Sequence, residues 1–381
     1  MEPPTLTVYS GIVYTVLPER SKPNPISFFY PMTMQLKKDS IRYIDQLRVI
    51  AAFDVVFVHI ILGTFAGLKP LSSQWWLAHG VALTCQWPVP VFVMVSGVLL
   101  LDPSRWQEST ATFYQKRLHR IGIPLIFWTG LCYVFMERID HVNVTAGFIL
   151  TNLLQARLPY HTHFLFIIAG LYLLTPLLRR FVQRATPLQR RSVIIFIFAS
   201  STFYALLNNI FWQNGRFLFT FFLPYTGYYL CGYEIPRIDP TRIKSKTLIA
   251  VIVLSALYIG VHTNTYIEFH GMQDSYFVLG FLSLPMIVLS IGIFWVLLLI
   301  DRQRSSSYSR IDRFFQRLAP ATFGIYLMHV FILIGLRESL RGEVNDTPYL
   351  VNVCVGTLIG FGLSYVLTGL FSKCPVLKYL V

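Results

Sequence analysis

The sequence predicts an all-α membrane protein, a polytopic bundle of about ten transmembrane helices with both termini in the cytoplasm. Of its 381 residues, 54% are hydrophobic and 13% are charged. A soluble domain usually carries about 25% charged residues. The lysines and arginines stand in short clusters between apolar runs, which is typical of membrane-protein loops. Membrane lipid is therefore the expected surrounding, and the formal net charge of +14 does not indicate a nucleic-acid partner.

Ten apolar segments come near the ~20 residues that a helix needs to cross a bilayer. Several contain proline or glycine, which membrane helices tolerate better than soluble ones do. A further apolar stretch at 146–155 is too short to span, and we expect it at the membrane interface. The ten segments are approximately 44–66, 81–101, 121–137, 163–180, 192–210, 217–235, 247–262, 278–300, 320–336 and 349–371.

The basic residues orient these segments in the membrane. With the N-terminus inside, the inner loops and helix ends hold 23 lysines and arginines, and the outer ones hold 6. Cytoplasmic loops of membrane proteins carry such an excess. We therefore expect 1–40 to form a poorly ordered cytoplasmic tail, 41–372 to form the transmembrane domain, and 373–381 to form a short cytoplasmic tail.

The first apolar segment carries ionisable residues, among them Arg48, Asp54 and His59. A central Asp or Arg costs roughly 2.5–3.5 kcal/mol on the insertion scale, so such residues usually face the bundle interior and mark a functional path. Arg48 and His59 are separated by about 16 Å of helical rise and share one face of the helix. Asp54 lies about 140° round the helix from His59, so we expect it to pair with another helix.

A cation near the inner mouth and an imidazole deeper on the same face suit a ligand with an anionic head and a reactive tail, such as an acyl-CoA. Either residue has an ordinary alternative. Arg48 on its own is also consistent with a charge that reaches back to the interface, and a lone His59 with a hydrogen-bonded structural histidine. Their shared face favours the functional interpretation of both.

Five motifs in order along the chain resemble the acyltransferase-3 family of membrane proteins, which transfer acyl groups to bacterial surface glycans. The spacing of Arg48 and His59 is similar to that family's signature, and the likeness extends over about residues 42–372. The motifs are Tyr43-Ile44-Asp45-Gln46-Leu47-Arg48 with His59, Pro90 to Gly97 with its Phe92 and Ser96-Gly97, Phe113-Tyr114 with Arg117, Arg120 and Pro124, His161-Thr162-His163-Phe164-Leu165 with Tyr172 and Pro176, and Gly324-Ile325-Tyr326 with His329.

The resemblance implies a membrane O-acetyltransferase that uses acetyl-CoA as acyl donor and a cell-surface or periplasmic glycan as acceptor. It implies a multi-pass location in the bacterial inner membrane. The likeness is strongest to stand-alone members, such as those that acetylate enterobacterial common antigen. Two positions depart from the family pattern: His163 stands where tryptophan is usual, and Asp54 stands where an apolar residue is common.

The resemblance implies His59 as the catalytic residue and Arg48 as its partner. A histidine can act as general base on the acceptor hydroxyl, or it can form a transient acetyl-imidazole, and the sequence leaves both open. Arg48, Arg117 and Arg120 are expected to hold the CoA phosphates, because the guanidinium fork suits phosphate. For Arg117 and Arg120, ordinary cytoplasmic loop charge is an equal alternative.

Three further residues are candidates for substrate binding: His161, Tyr326 and His329. Structural hydrogen bonding is the alternative for each of them. We expect Ser96-Gly97 to serve helix packing, since small residues let membrane helices approach closely. Three acidic residues on the predicted outer side have solvated loop charge as their default interpretation, namely Glu338, Glu343 and Asp346.

Other functions remain open at this stage. Buried Arg, Asp and His residues also line the paths of secondary transporters and lipid-linked glycan flippases. A non-catalytic assembly partner is a third interpretation, which the shared face of Arg48 and His59 disfavours. The five cysteines are scattered singly without metal-type spacing, so we expect no metal cofactor.

Overall fold

The computed structural model describes residues 8–9, 12–13, 42–65, 68–69, 71–103, 108–211, 217–239, 245–270, 280–304, 307–342 and 349–381. The chain divides into two units, Met1–Gln35 and Leu36–Val381. In the first unit, strands β1 (Val8–Tyr9) and β2 (Ile12–Val13) pair antiparallel. The tail predicted at 1–40 falls largely outside the described residues, and its poor order stays a prediction.

Every regular element described from Arg42 onwards is helical, as the sequence predicts. The α-helices alternate with short 3-10 segments, and a π-helical turn at Leu118–Gly122 joins α4 to α5. The α-helices are α1 (Arg42–Phe65), α2 (Ser73–Thr84), α3 (Pro88–Leu101), α4 (Thr110–Arg117), α5 (Ile123–Arg138), α6 (Ala146–Leu154), α7 (His163–Arg184), α8 (Pro187–Phe211), α9 (Thr226–Glu234), α10 (Ser245–His270), α11 (Leu284–Gln303), α12 (Arg310–Leu318), α13 (Thr322–Gly342) and α14 (Tyr349–Lys373).

Within the described residues, 8 helical stretches are long and apolar enough to cross a membrane. The polytopic membrane bundle is therefore confirmed, whereas the total number of spans and the side on which the termini lie stay predictions. Helix α8 matches the fifth predicted segment and has 25 residues. The 8 stretches are Arg42–Thr64, Ser73–Leu101, Thr110–Arg138, His163–Arg184, Ser245–His262, Leu284–Gln303, Arg310–Leu336 and Tyr349–Lys373.

The segment predicted to span at 217–235 does not form one continuous helix. It consists of turns, a 3-10 turn at Leu223–Tyr225 and the 9-residue helix α9. Nine helical residues rise about 14 Å, less than half of the ~30 Å hydrocarbon core. Every residue of α9 is buried. The apolar character of this segment therefore reflects burial inside protein, and α9 packs against α3 and α8.

Helices α3 and α9 cross in close contact at two glycines. A Cβ atom added at Gly97 would stand 2.0 Å from the Tyr229 carbonyl oxygen, and one added at Gly232 would stand 1.9 Å from that of Met94. Both distances are far shorter than any real carbon–oxygen contact, so only glycine fits at either position. The packing role expected for Gly97 is confirmed, while Ser96 donates its hydroxyl to the Phe92 carbonyl 3.0 Å away.

The start of α12 is held by a buried carboxylate, Asp312. One oxygen accepts hydrogen bonds from the backbone N–H and the hydroxyl of Ser309, at 2.9 and 2.7 Å. The other accepts from Gln46 on α1, at 3.0 Å, and from Arg304, at 3.3 Å. Arg42 lies 3.9 Å from the same carboxylate and also pairs with Asp301. This network ties the start of α1 to the α11–α12 connection.

Replacing Asp312 by alanine is expected to destabilise the protein by about 2–4 kcal/mol, because a helix cap and bonds to charged partners are lost together. Thermal unfolding in detergent measures the effect. Lys116→Ala is the control: the lysine side chain is 52% exposed where it pairs with Glu108, so a loss under about 1 kcal/mol is expected. An Asp312→Ala protein as stable as this control would show that the network contributes little.

Candidate functional site

His59 lies near the end of α1, with its ring held by the helix backbone. Its Nδ1 is 2.8 Å from the Val55 carbonyl oxygen. A carbonyl oxygen accepts and cannot donate, so Nδ1 carries the proton in this contact. The lone pair of the neutral ring is then on Nε2, which is the nitrogen available to take a proton or attack a carbonyl carbon.

Two further imidazoles meet His59, and they come from distant parts of the chain. The rings of His59 and His329 are 4.9 Å apart, and those of His161 and His329 are 5.0 Å apart. Tyr326, one helical turn before His329, packs its ring 5.1 Å from that of His161 and donates its hydroxyl to the His161 carbonyl. We call His59, His161, Tyr326 and His329 the imidazole cluster.

The imidazole cluster contains polar atoms that protein groups do not satisfy. His329 directs Nδ1 at the Tyr326 carbonyl, 2.6 Å away, while its Nε2 is buried with no hydrogen-bond partner among the described residues. Neither ring nitrogen of His161 completes a hydrogen bond within that part of the chain, although the backbone of Leu327 lies beside the ring. Buried polar atoms are normally paired, and an exception is a position where a ligand or water can bind.

A second group of side chains brings several arginines together. Arg48 on α1 interacts electrostatically with Arg120, and also with Asp45 and Tyr172. Arg117 lies over the ring of Tyr172, at 5.6 Å. Arg179 on α7 interacts electrostatically with Arg117 in turn. We call Arg48, Arg117, Arg120 and Arg179 the arginine cluster.

The arginine cluster is suited to an anion. Like charges repel, so several guanidinium groups in one place favour a binding partner of opposite charge. Arg117 has a buried Nε with no hydrogen-bond partner among the described residues. Arg179 already has partners within the protein. Its Nε donates to the Leu100 carbonyl oxygen, at 2.8 Å, and its guanidinium group lies over the Phe113 ring.

The seven residues singled out in the sequence thus fall into two groups. The structure brings Arg48, Arg117 and Arg120 together, and it brings the four members of the imidazole cluster together. Arg179 was counted in the sequence only as a cytoplasmic charge. The sequence did contain a pattern that points to this residue. Arg179 follows Tyr172 by seven residues and Thr175 by four, and this spacing places the three side chains on one helical face.

Other residues from the sequence analysis lie elsewhere. The Cys85 thiol, in the turn just after α2, donates a hydrogen bond to the Asp54 carboxylate, so the partner of Asp54 lies outside α1 but not on another helix. His163 stacks on Phe281, with ring centres 5.9 Å apart. The acidic residues Glu338, Glu343 and Asp346 are not among those whose side chains the structure describes.

The three histidines do not form a metal site as arranged. Across the described ranges, no group of three His, Cys, Asp or Glu side chains has the geometry to hold a metal ion. The rings contact each other edge to face, with an interplanar angle of 76° between His59 and His329. The chemistry this geometry offers is proton transfer or nucleophilic attack by a neutral imidazole.

Long apolar helices that bring together an imidazole cluster and an arginine cluster define a multi-pass membrane protein with a candidate site between its helices. The family model described as an acyltransferase domain matches residues 41–369. The chain therefore belongs to the acyltransferase-3 family and is a membrane acyltransferase, which the motifs predict. This match favours an enzyme over a transporter, a flippase or an assembly partner. Comparisons with curated proteins and with solved structures gave no match.

Proposed function

We propose that this acyltransferase moves an acetyl group from cytoplasmic acetyl-CoA to a hydroxyl group of a cell-surface or periplasmic glycan. Its proposed location is the bacterial inner membrane, and its proposed place in the family is among the stand-alone members, such as those that acetylate enterobacterial common antigen. The observation that carries the proposal is that α1 links the two clusters: it contributes Arg48 to the arginine cluster and, about 16 Å further along the helix, His59 to the imidazole cluster.

Acetyl-CoA has the chemistry that these two clusters require. Its phosphates lie at one end and its thioester at the other, joined by the long pantetheine arm. We assign the phosphates to the arginine cluster, where planar guanidinium groups give paired, charge-assisted hydrogen bonds. The thioester then extends towards His59, on the same face of α1 as Arg48.

His59 would act on the acceptor hydroxyl through Nε2. As the hydroxyl oxygen attacks the thioester carbonyl carbon, Nε2 takes the hydroxyl proton, and the carbon–sulfur bond breaks to release CoA as thiolate. The imidazolium then returns the proton to the thiolate. In the alternative route, Nε2 itself attacks the thioester carbonyl carbon, and the carbon–sulfur bond breaks to release CoA as thiolate. The acceptor hydroxyl oxygen then attacks the acetyl-imidazole, the bond to Nε2 breaks, and the hydroxyl proton passes to the thiolate. Both routes need the Nδ1–H that donates to the Val55 carbonyl.

Removing Arg48 or Arg117 is expected to weaken acetyl-CoA binding about 10- to 100-fold, the size of a lost hydrogen bond to a charged group. The measurement is the rise in melting temperature of the purified protein with acetyl-CoA. Arg317→Ala is the matched control, because it removes an exposed arginine outside the arginine cluster. S-acetyl-pantetheine, which lacks the nucleotide phosphates, should stabilise the wild-type protein far less than acetyl-CoA does.

Equal stabilisation by acetyl-CoA and S-acetyl-pantetheine would contradict the assignment of the phosphates to the arginine cluster. No stabilisation by either compound would contradict acetyl-CoA as the acyl donor. For the acceptor, mass spectrometry of surface glycans from a strain lacking this gene should show one acetyl substituent missing. Unchanged acetylation in that strain would refute the glycan as acceptor.

A further inference from the structure

A cavity of about 300 Å³ opens between the end of α5, helix α6 and the loop before α7. It begins about 24 Å along the helix from Arg117, at Tyr133, and so lies away from the arginine cluster. Its size is at the lower end of the range for small-molecule sites. The lining residues are Tyr133, Met136, Asp140, Phe148, Asn152, Arg157, Leu158, Pro159 and Tyr160.

The lining combines aromatic rings with hydrogen-bonding groups of each kind. Tyr133, Phe148 and Tyr160 supply ring faces, on which the C–H face of a sugar can pack. Asp140 can accept hydrogen bonds, Arg157 can donate them, and a sugar hydroxyl group can do both. Tyr133 is buried, and its hydroxyl has no hydrogen-bond partner among the described residues. A buried polar atom is normally paired, so a polar ligand in the cavity would be stabilised if it reached this hydroxyl.

The loop on one side of this cavity is held in an unusual conformation. Ala156 and Tyr160 have φ angles of 50° and 48°, in the left-handed region that non-glycine residues rarely adopt. Tyr160 also donates its hydroxyl to Asp140, at the end of α5. Backbone strain of this kind concentrates at functional sites, where the surrounding structure fixes it.

Two residues that line the cavity are next in sequence to residues that belong to, or contact, the imidazole cluster. Tyr160 immediately precedes His161, and Tyr133 immediately follows Cys132, which interacts with Tyr326. Phe331 bridges the same region, with its ring 4.9 Å from that of Phe135 and 6.2 Å from that of His161. A ligand in the cavity would therefore sit beside the residues that enclose His59.

We propose that this cavity binds the acceptor saccharide, with the Tyr133 hydroxyl donating to or accepting from a sugar hydroxyl and Arg157 and Asp140 at the rim. The inference rests on the proposed function, since it supplies the acceptor side of the same reaction. Acetyl-CoA and the acceptor would approach the imidazole cluster from different ends, which keeps the donor phosphates away from the sugar site.

The test measures saccharide binding without requiring catalysis. The full chain carrying Met136→Cys is placed in lipid nanodiscs and treated with a polar maleimide, and peptide mass spectrometry follows alkylation at position 136. The probes are the methyl glycosides of glucose, galactose and mannose. At ten times its Kd, a bound glycoside should slow the alkylation about tenfold, because the free fraction of the site falls by that factor. Asn143→Cys, on an exposed loop outside the cavity, should show no slowing.

The Tyr133→Phe change, added to Met136→Cys, should raise the glycoside Kd about three- to tenfold, the size of one lost neutral hydrogen bond. Tyr379→Phe removes an exposed tyrosine hydroxyl elsewhere and should leave the Kd unchanged. Melting curves with acetyl-CoA are recorded on the same samples. They report whether each variant is folded and whether the donor site is intact.

The outcomes separate the two proposals. Protection of position 136 by a glycoside, without stabilisation by acetyl-CoA, would support the saccharide site and refute acetyl-CoA as the donor. Stabilisation by acetyl-CoA, with no protection by any of the glycosides, would overturn the saccharide site and keep the donor. A Kd that Tyr133→Phe does not change would overturn the assignment of that hydroxyl. If the Met136→Cys protein showed neither protection by a glycoside nor stabilisation by acetyl-CoA, both proposals would be overturned.

Discussion

Replacing His59 by alanine is expected to lower the rate of acyl transfer by about 10²–10⁴-fold, the usual contribution of a positioned general base. The imidazole that is lost has Nδ1 held by the Val55 carbonyl, so it leaves Nε2 free for chemistry. The rate is measured as release of the CoA thiol from acetyl-CoA in the presence of acceptor. Binding of acetyl-CoA should survive, because Arg48 and the rest of the arginine cluster are unchanged.

His119→Ala is the matched control for this experiment. Its Nδ1 lies 2.8 Å from the Gln115 carbonyl oxygen, the same contact that His59 makes, but its side chain is exposed. The control should keep the wild-type rate. A His59→Ala protein with the wild-type rate would exclude His59 from the chemistry. An acetyl group trapped on the His59 peptide, in the absence of acceptor, would identify the acetyl-imidazole route.

The second large effect is a loss of stability, and it is expected from a substitution at the crossing of α3 and α9. Alanine at Gly232 would place a carbon 1.9 Å from the Met94 carbonyl oxygen, and a backbone atom cannot move aside as a flexible side chain can. Overpacking of a rigid core typically costs about 1–3 kcal/mol or more, so we expect the upper end or outright loss of folded protein. The yield of monodisperse protein and its melting temperature measure the change.

Two other glycines test whether the effect comes from the crossing or from glycine itself. An added Cβ at Gly130 on α5, or at Gly362 on α14, would meet nothing within 4 Å. Alanine at either position should leave the protein as stable as the wild type, or slightly more stable, because alanine favours a helix over glycine. If Gly232→Ala behaved like these controls, the two helices would have room that the structure does not show.

Hydropathy predicted the membrane bundle because a lipid-facing helix must be long and apolar. The same property misled at 217–235, where hydropathy does not distinguish a helix in lipid from a short helix wrapped by protein. Pro224, inside this segment, lies in the 3-10 turn before α9. Two prolines also mark the start of α3, at Pro88 and Pro90, where the predicted segment 81–101 is divided into two helices.

The relative position of two candidate site residues could be predicted from the sequence where both lie on the same helix. Arg48 and His59 share α1, so their relation followed from helical geometry alone. The meeting of His59 with His161 and His329 depends on tertiary packing, and only the motif resemblance pointed to those two residues. Tyr133 had no distinguishing pattern, because a lone tyrosine is common in membrane helices. Arg179 shares a helical face with Tyr172 and Thr175, but an arginine in a basic cluster is by default interpreted as cytoplasmic charge.

The imidazole cluster draws one histidine from each of the early, middle and late parts of the chain. On the proposed mechanism, synthesis must pass residue 329 before the reactive centre exists, and we expect a ribosome-bound fragment that ends earlier to be inert. Two separately translated pieces, divided between α7 and α13, should regain turnover once they associate in one bilayer. Such complementation would give a way to switch the enzyme on by bringing its fragments together.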